Sequence, residues 1–212
     1  MTLTKNFLRR YSNLPSLIHL LTTRSLTFLD PESWNDKNDS LFMRLYKQNK
    51  ELDTLLAVCF SQVTETYHHW SVFASGSSGV CISFKKQELL AELRQHEGIR
   101  MREVSYLSLN ELESVPRRAA DLPFMKRAPF KDEAEYRVTF EEKGDSRPYL
   151  DIGISLSCID HVTLSPWMPQ AVSESVKSAL KRIDGAEEVR VSRSTLIQNE
   201  KFARFGRSFV EA

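Results

Sequence analysis

The sequence predicts an α+β fold, arranged as a single compact domain over residues 1–212. Strand-like apolar runs are mixed with amphipathic helical stretches, without the strict strand-helix alternation of α/β proteins. Composition does not shift along the chain, and 41% hydrophobic residues in a chain of 212 are enough to bury one sizeable core. We therefore expect a mixed sheet of about six strands with about four or five peripheral helices.

The first half of the chain reads as alternating helices and strands. Pro15 lies near the start of a helix over 13–23, in which Leu17, Ile18 and Leu21 recur at helical spacing. Residues 25–29 read as a strand, and 30–40 are dense in turn-forming residues. The pattern then predicts a helix over 41–52, a buried strand over 55–61 and about two helical turns over 66–74.

The second half continues in the same mixed manner. Residues 80–84 alternate as a strand, and a helix over 86–98 ends at Gly98. A strand is expected over 99–107, partial helix over 109–122 and further strands over 133–142 and 158–165. The clearest helix covers 169–185, with Val172, Val176 and Leu180 on one stripe, and the last strand covers 186–192.

Composition excludes several classes of protein. A net charge of +1 and a pI of about 7.7 give no global attraction to nucleic acid or to a membrane. Pro15, Ser16 and His19 interrupt the apolar stretch that a signal sequence would need. Three widely spaced cysteines in apolar runs fit buried, reduced thiols, so we expect a cytoplasmic protein.

The stretch 61–84 combines two histidines, a tryptophan, a small-residue loop and a cysteine. His68 and His69 are adjacent, so on a helix they point about 100° apart and cannot both ligate one metal unaided; we expect no metal. The loop 75–78 lacks the lysine and the strand-to-helix order of a phosphate loop, and is predicted to be a tight connection at a pocket rim. Trp70 and Phe73 fit core anchors.

A charged cluster lies in 124–140. Glu133 and Glu135 are two residues apart where a strand begins, so both side chains and that of Arg137 would point to one face. Such a row is costly if buried and ordinary if exposed. From spacing alone, a solvated edge strand with alternating charges is the favoured interpretation.

Four segments together carry a family resemblance. "SLTFLDPESWNDKNDS", "CFSQ…HHWSVFASGSSGVCISF", "KRAPFKDEAEYRV" and "IDHVTLSPWMP" resemble, in order and spacing, the bacterial domain-of-unknown-function family numbered 2971. The most specific matches are Asn35 with Asp36, Trp70 with Ser71, and the charged stretch 132–137. The resemblance implies a cytoplasmic bacterial protein of compact α+β fold, of a type associated with mobile elements or phage defence. Many members carry histidine or tyrosine where this chain has Val72, Phe73 and Ser78.

A weaker similarity is to ADP-ribosyltransferases, and it implies a site. In those enzymes a late glutamate holds the nicotinamide ribose and an early arginine or histidine holds the dinucleotide. The resemblance implies Glu135 as the catalytic carboxylate with Glu133 orienting the acceptor, and NAD as the substrate. The cofactor-binding residues it implies come from an early and a middle segment: Arg10, Tyr11, Trp70 and Ser71. Fixed negative charge suits this chemistry because cleavage of the nicotinamide bond develops an oxocarbenium-like centre.

Two other interpretations remain open. A non-enzymatic protein could bind a partner through the loop containing Asn35 and Asp36, with Lys126 and Arg137 as further substrate or partner contacts. A nucleic-acid-acting defence factor could use a local basic patch. That patch would comprise Arg117, Arg118, Lys126, Arg127 and Lys131.

Overall fold

A computed structural model describes residues 6–210, within which an irregular succession of strands and helices forms a mixed α+β domain. The strands are Phe7–Asn13 (β1), Ser25–Leu29 (β2), Thr54–Ser61 (β3), Gly79–Lys85 (β4), Ile99–Glu103 (β5), Ser105–Leu107 (β6), Met125–Arg127 (β7), Glu135–Glu142 (β8), Tyr149–Gly153 (β9), Ile159–Leu164 (β10) and Val191–Arg193 (β11). The α-helices are Leu14–Thr23 (α1), Lys37–Lys50 (α2), Tyr67–Phe73 (α3), Lys86–Leu93 (α4), Gln170–Leu180 (α5) and Glu200–Arg207 (α6).

The α+β prediction is confirmed, although the strand count is higher than expected. β1, β7, β9 and α6 lie where no element was predicted, and the partial helix expected over 109–122 is replaced by short 3₁₀ turns. α2 begins earlier than predicted because the Asp36 carboxylate accepts hydrogen bonds from the backbone N–H groups of Asn38 and Asp39. Residues 1–5, which open the stretch judged against a signal sequence, lie outside the described residues.

The large sheet forks at β3. β8 pairs antiparallel with β3 along its whole length, from Thr54–Glu142 to Ser61–Glu135. β1 and β2 must therefore share the other edge of β3, where each forms a single pair, Arg9 with Ser61 and Leu29 with Ala57. From the fork, one branch continues through β1 to β4, β10 and β11, and the other through β2 to β9.

The main core fills the inner face of this forked sheet. Leu8, Leu56, Val138 and Ile82 come from four neighbouring strands and are almost fully buried. Apolar residues of α1 and α4 cover them. β3 is buried on both faces, since α2 packs Met43 and other side chains on its other side, and this explains its continuous apolar sequence.

The connection from α3 to β4 depends on a glycine. A Cβ at Gly79 would lie 2.0 Å from the carbonyl oxygen of Ala74, so this close approach of two backbone segments tolerates no side chain. The contact fixes α3 against the start of β4. Within residues 6–210 no helix is long and apolar enough to cross a membrane.

Candidate functional site

A cleft of about 460 Å³ opens at the fork between β1 and β2. Its floor includes Val58, Cys59 and Phe60 of β3, the residues between the two single pairs that join β3 to β1 and β2. This volume falls in the range of small-molecule sites, about 300–1,000 Å³. The fork therefore creates a ligand-sized opening in an otherwise continuous sheet.

β8 supplies the charged end of the cleft, but it is not the solvated edge strand that spacing favoured. β8 lies between β3 and β5, and Glu135 and Arg137 are 5% and 0% exposed. Glu133 precedes the strand, in a 3₁₀ turn that ends at Ala134 with φ +44°. The expected row is therefore correct for Glu135 and Arg137, while a left-handed turn, not the strand, positions Glu133.

The Arg137 guanidinium is fully engaged by three acceptor groups. Its Nη1 and Nη2 atoms donate to the two oxygens of Asp39, each at 2.7 Å. Nε and Nη2 donate to the two oxygens of Glu135 at 2.6 and 3.0 Å, and Nη1 also donates to the Pro123 carbonyl at 2.8 Å. All five N–H donors are thus used, which makes Arg137 a positioning group and not a free ligand contact.

Lys126 completes the cluster from β7. Its Nζ atom lies 2.6 Å from Glu133, 3.5 Å from Glu135 and 3.6 Å from Asp39. Three carboxylates therefore meet two cations at this end of the cleft, leaving one excess negative charge when all five groups are ionised. We call Asp39, Lys126, Glu133, Glu135 and Arg137 the carboxylate cluster.

Ionisation differs within the carboxylate cluster. Burial opposes the charge of Glu135, but the charge and hydrogen bonds of Arg137, helped by Lys126, outweigh burial and lower the pKa of Glu135 to about 2. Burial raises the pKa of Glu133, whose close counter-charge is Lys126. Glu135 is therefore fixed as an anion at neutral pH, whereas Glu133 is the carboxylate better suited to exchange a proton.

β1 supplies basic residues to the lining of the cleft. Arg10 lines the cleft, and burial lowers the pKa of its guanidinium without displacing it from the charged form. Within residues 6–210, the side chain of Arg10 has no hydrogen bond or ion pair. Tyr11 lines the cleft as well, and its hydroxyl is buried without a hydrogen-bond partner among the residues that the structure describes. Unused donors in a cleft are groups that a ligand can satisfy.

His69 is a cleft residue that the sequence interpretation considered only as a metal ligand. Nε2 lies 3.0 Å from Ser61 Oγ, which itself donates to the Glu133 carbonyl, and Nδ1 lies 2.7 Å from Thr66 Oγ1. A donor at Nε2 and an acceptor at Nδ1 satisfy all these bonds, so the neutral Nε2–H tautomer fits. Burial lowers the pKa of His69, in agreement with a neutral ring.

Trp70 and Ser71 do not line the cleft, so their positions do not support the cofactor-binding role that the resemblance implied. Trp70 is 0% exposed, its Nε1 donates to Glu65 at 2.6 Å, and its ring packs edge-on against Tyr11. It is a core anchor, as the alternative interpretation held. Ser71 is exposed on the outer side of α3.

Phe73 and the loop 75–78 do not lie where the sequence predicted. Phe73 was expected in the core, but it is 42% exposed and lines the cleft with Val72. The loop 75–78 was expected at a pocket rim, yet within the described residues it contributes nothing to the cleft lining. The end of α3 therefore faces the cleft, and the loop that follows it does not reach the cleft lining.

The segment before α2 forms one wall of the cleft. Asn35 and Asp36 line it, together with Trp34, whose ring lies 4.6 Å from the Arg137 guanidinium carbon. One oxygen of Asp36 caps α2, and the other is buried without a hydrogen-bond partner in the described part of the chain. The predicted substrate or partner contacts at Asn35 and Asp36 thus share one cleft with Glu135.

One of the three cysteines lies in the cleft. Cys81 and Cys158 are buried and Cys59 lines the cleft floor; all are free thiols. Burial, followed by the charge of Glu135, raises the pKa of Cys59. No group of three or more His, Cys, Asp or Glu within 6–210 is placed to hold a metal ion.

Of the predicted basic patch, Lys126 is the one described member that lines the cleft. The other four members are exposed: Arg117, Arg118, Arg127 and Lys131.

Comparison with known proteins adds little. No protein-family model and no curated protein matches the chain, so the resemblance to family 2971 is not confirmed. One similar solved structure is Thermus sp. 2.9 DarT in complex with carba-NAD+, with 12% sequence identity and a TM-score of 0.45; the match covers 89% of this chain and 95% of that chain. Another is Thermus sp. 2.9 DarT in complex with NAD+, with 12% identity and a TM-score of 0.45 over 91% of this chain and 98% of that chain. A third is Thermus sp. 2.9 DarT in complex with ADP-ribosylated ssDNA, with 13% identity and a TM-score of 0.48 over 92% of this chain and 98% of that chain. Scores and identities this low establish no relationship of function.

Proposed function

We propose that the cleft binds NAD and that the protein transfers or hydrolyses its ADP-ribosyl group. The observation that carries the proposal is the presence of basic and acidic groups in the lining of one cleft. Arg10 contributes a guanidinium that has no hydrogen bond or ion pair within residues 6–210, and the carboxylate cluster contributes excess negative charge. NAD has a pyrophosphate dianion and develops positive charge at the nicotinamide ribose when the glycosidic bond breaks, so its charges match this arrangement.

The carboxylate cluster would act on the breaking bond. Glu135 is held by Arg137 and Lys126 in one orientation and stays ionised at neutral pH. A preorganised anion needs no rearrangement as the oxocarbenium-like charge develops, which is the condition for electrostatic stabilisation of a transition state. Leaving nicotinamide takes the bonding electron pair, and the acceptor oxygen or water then attacks the ribose carbon.

Glu133 would receive the proton of the acceptor. It lies next to Glu135 through their common contact with Lys126, and burial raises its pKa toward the range of a general base. His69 would not take this role directly, because its ring nitrogens are engaged by Ser61 and Thr66. It would instead position the Glu133 backbone, to whose carbonyl the Ser61 hydroxyl donates.

The test separates binding from chemistry. Arg10→Gln should weaken NAD binding about 10- to 100-fold by calorimetry, because a hydrogen bond to a charged group is worth about 1.5–3 kcal/mol. Arg44→Gln, an exposed arginine outside the cleft, is the matched control and should bind as wild type. Glu133→Gln should retain NAD binding and lose most formation of the ADP-ribosyl product, measured by mass spectrometry. Folded wild-type protein that neither binds nor cleaves NAD would contradict the proposal and favour a partner-binding role.

A second candidate function is nucleic-acid binding, either alone or as the acceptor for the same reaction. Within residues 6–210, the side chains of Arg117, Arg118, Arg127 and Lys131 are exposed and form no ion pair. Cations without protein partners are available to phosphates, and each phosphate contact on a single strand adds about 0.7 to the salt slope. Affinity for a single-stranded oligonucleotide, measured against salt, should fall less steeply in Arg127→Gln. A wild-type affinity that is independent of salt would contradict this candidate.

A further inference from the structure

Asp39 is a buried carboxylate of the cleft to which the proposed reaction gives no role of its own. It lies in the first turn of α2 and is 3% exposed. Its two oxygens accept from Nη1 and Nη2 of Arg137, each at 2.7 Å, which is the planar, two-pronged form of an arginine–carboxylate pair. Burial raises the pKa of Asp39, but N–H donors on both oxygens are the arrangement of an ionised carboxylate.

Asp39 holds the Arg137 guanidinium from outside β8. Glu135 and Arg137 are two residues apart on that strand and share a face, so their mutual contact alone leaves both flexible side chains able to turn together. Asp39 occupies the edge formed by Nη1 and Nη2, while Glu135 occupies the edge formed by Nε and Nη2. The Pro123 carbonyl adds a single bond. The plane of the guanidinium is therefore set from α2, and the orientation of the Glu135 carboxylate follows from it.

The charge of Asp39 also reaches Glu133, because both carboxylates contact Lys126. The Nζ atom lies 3.6 Å from an Asp39 oxygen and 2.6 Å from a Glu133 oxygen. Without the charge of Asp39, the carboxylate cluster would have two carboxylates against two cations, and Lys126 would hold the Glu133 anion more strongly. A carboxylate that is better neutralised by a nearby cation has a lower proton affinity.

The other charged or titratable groups around Glu133 leave this link with Asp39 intact. They come from its own turn, from β6, from β8 and from α3: Lys131, Asp132, Tyr106, Glu135, Arg137 and His69. Lys131 and Asp132 are exposed and of opposite charge. Burial raises the pKa of Tyr106 and lowers that of His69, so both are neutral near pH 7.

We infer that Asp39 is a positioning residue of the proposed reaction, which orients Glu135 through Arg137 and, through Lys126, leaves the Glu133 carboxylate incompletely neutralised. The inference rests on the proposed function, in which Glu135 stabilises the ribosyl cation and Glu133 receives the proton of the acceptor. Formation of the ADP-ribosyl product should then rise with pH as Glu133 loses its own proton. Weakening Glu133 as a base moves this acidic limb of the pH profile to lower pH.

Asp39→Asn tests both effects, because it keeps the shape and removes the charge. NAD affinity, measured by calorimetry, should stay within about threefold of wild type, since Arg10 is the proposed anchor of the pyrophosphate. The kcat for product formation should fall about 10- to 100-fold as Glu135 loses its orientation, and the acidic limb should move down by about one pH unit. Glu141→Gln is the matched control, since it removes a β8 carboxylate that pairs with Arg100 outside the cleft. It should keep the kcat and the limb of wild type.

Asp39→Glu separates orientation from charge. The longer side chain keeps the charge but does not fit the same two-pronged contact in a site that is 3% exposed, so kcat should fall while the acidic limb stays where it is in wild type. A limb that moves in Asp39→Glu, or that does not move in folded Asp39→Asn, would overturn the inference. So would a wild-type kcat in either variant.

A measurement on wild type without NAD covers the case in which Asp39→Asn does not fold. In carbon-13 NMR, the carboxyl signals of Asp39 and Glu133 should each report two titration steps, because groups that share one cation titrate together. Single, independent steps would overturn the inference even if the protein cleaves NAD. Coupled steps in a folded protein that neither binds nor cleaves NAD would instead show that the proposed function, and not the charge link, is wrong.

Discussion

Replacing Glu135 by glutamine tests the carboxylate cluster as a structural unit. Glu135 is 5% exposed, and Arg137 and Lys126 lower its pKa from 4.5 to about 2. Each pKa unit is worth about 1.4 kcal/mol, so the shift corresponds to about 3 kcal/mol of folding stability at pH 7. This agrees with the general cost of breaking a buried ion pair, about 3–5 kcal/mol. On the solvated edge strand that the spacing favoured, Glu135→Gln would leave the free energy of unfolding nearly unchanged, and burial of the cluster reverses that expectation.

The pH dependence of the same variant provides an independent test. A depressed folded pKa means that the contribution of Glu135 is fully present above the unfolded value of 4.5 and is lost as pH falls toward 2. Urea unfolding of wild type and Glu135→Gln should therefore differ by about 3 kcal/mol at pH 7 and by about 1 kcal/mol at pH 3. Glu88→Gln removes an exposed partner of Lys85 and should cost less than about 1 kcal/mol. A difference for Glu135→Gln below about 1 kcal/mol at pH 7, or one that does not shrink with acid, would refute the reasoning.

Three further predictions follow from individual contacts. Trp70→Ala should destabilise the fold by about 3–5 kcal/mol, because the ring is fully buried. Tyr67 is 60% exposed, so Tyr67→Ala should destabilise the fold much less. Equal melting temperatures for the two variants would contradict this prediction. Gly79→Ala should destabilise the fold by about 1–3 kcal/mol, because the new Cβ would meet the Ala74 carbonyl oxygen. Gly153→Ala is the control, since a Cβ there would have no atom within 4 Å. Equal urea midpoints for the two variants would argue against the contact at Gly79. The pKa of His69, measured by NMR, should lie below 6.5, and its ring should be the Nε2–H tautomer, because burial disfavours the charged form. The contribution of His69 to folding stability is then present above pH 6.5 and is lost as pH falls. A pKa above 6.5 would exclude the proposed hydrogen bonds.

The local sequence determined the class of fold and several of its parts. Apolar periodicity predicted α1, α4 and α5, and continuous apolar runs predicted β3 and β4, because burial of one face or of both faces imposes those patterns directly. β1 escaped prediction because Arg9 and Arg10 interrupt its apolar alternation, and both line the cleft. α6 also escaped prediction, and all of its side chains are exposed within the described residues.

The site itself depended on tertiary structure. The spacing of Glu135 and Arg137 showed that they share a face, but not whether that face is solvated; pairing of β8 between β3 and β5 decided this. Asp39 lies 98 residues before Arg137, and no local pattern marks it as a partner. The fork at β3, which opens the cleft, results from two single-residue pairings with distant strands. Sequence periodicity reports which residues are buried, whereas the partners of a buried charge are chosen by contacts between segments far apart in the chain.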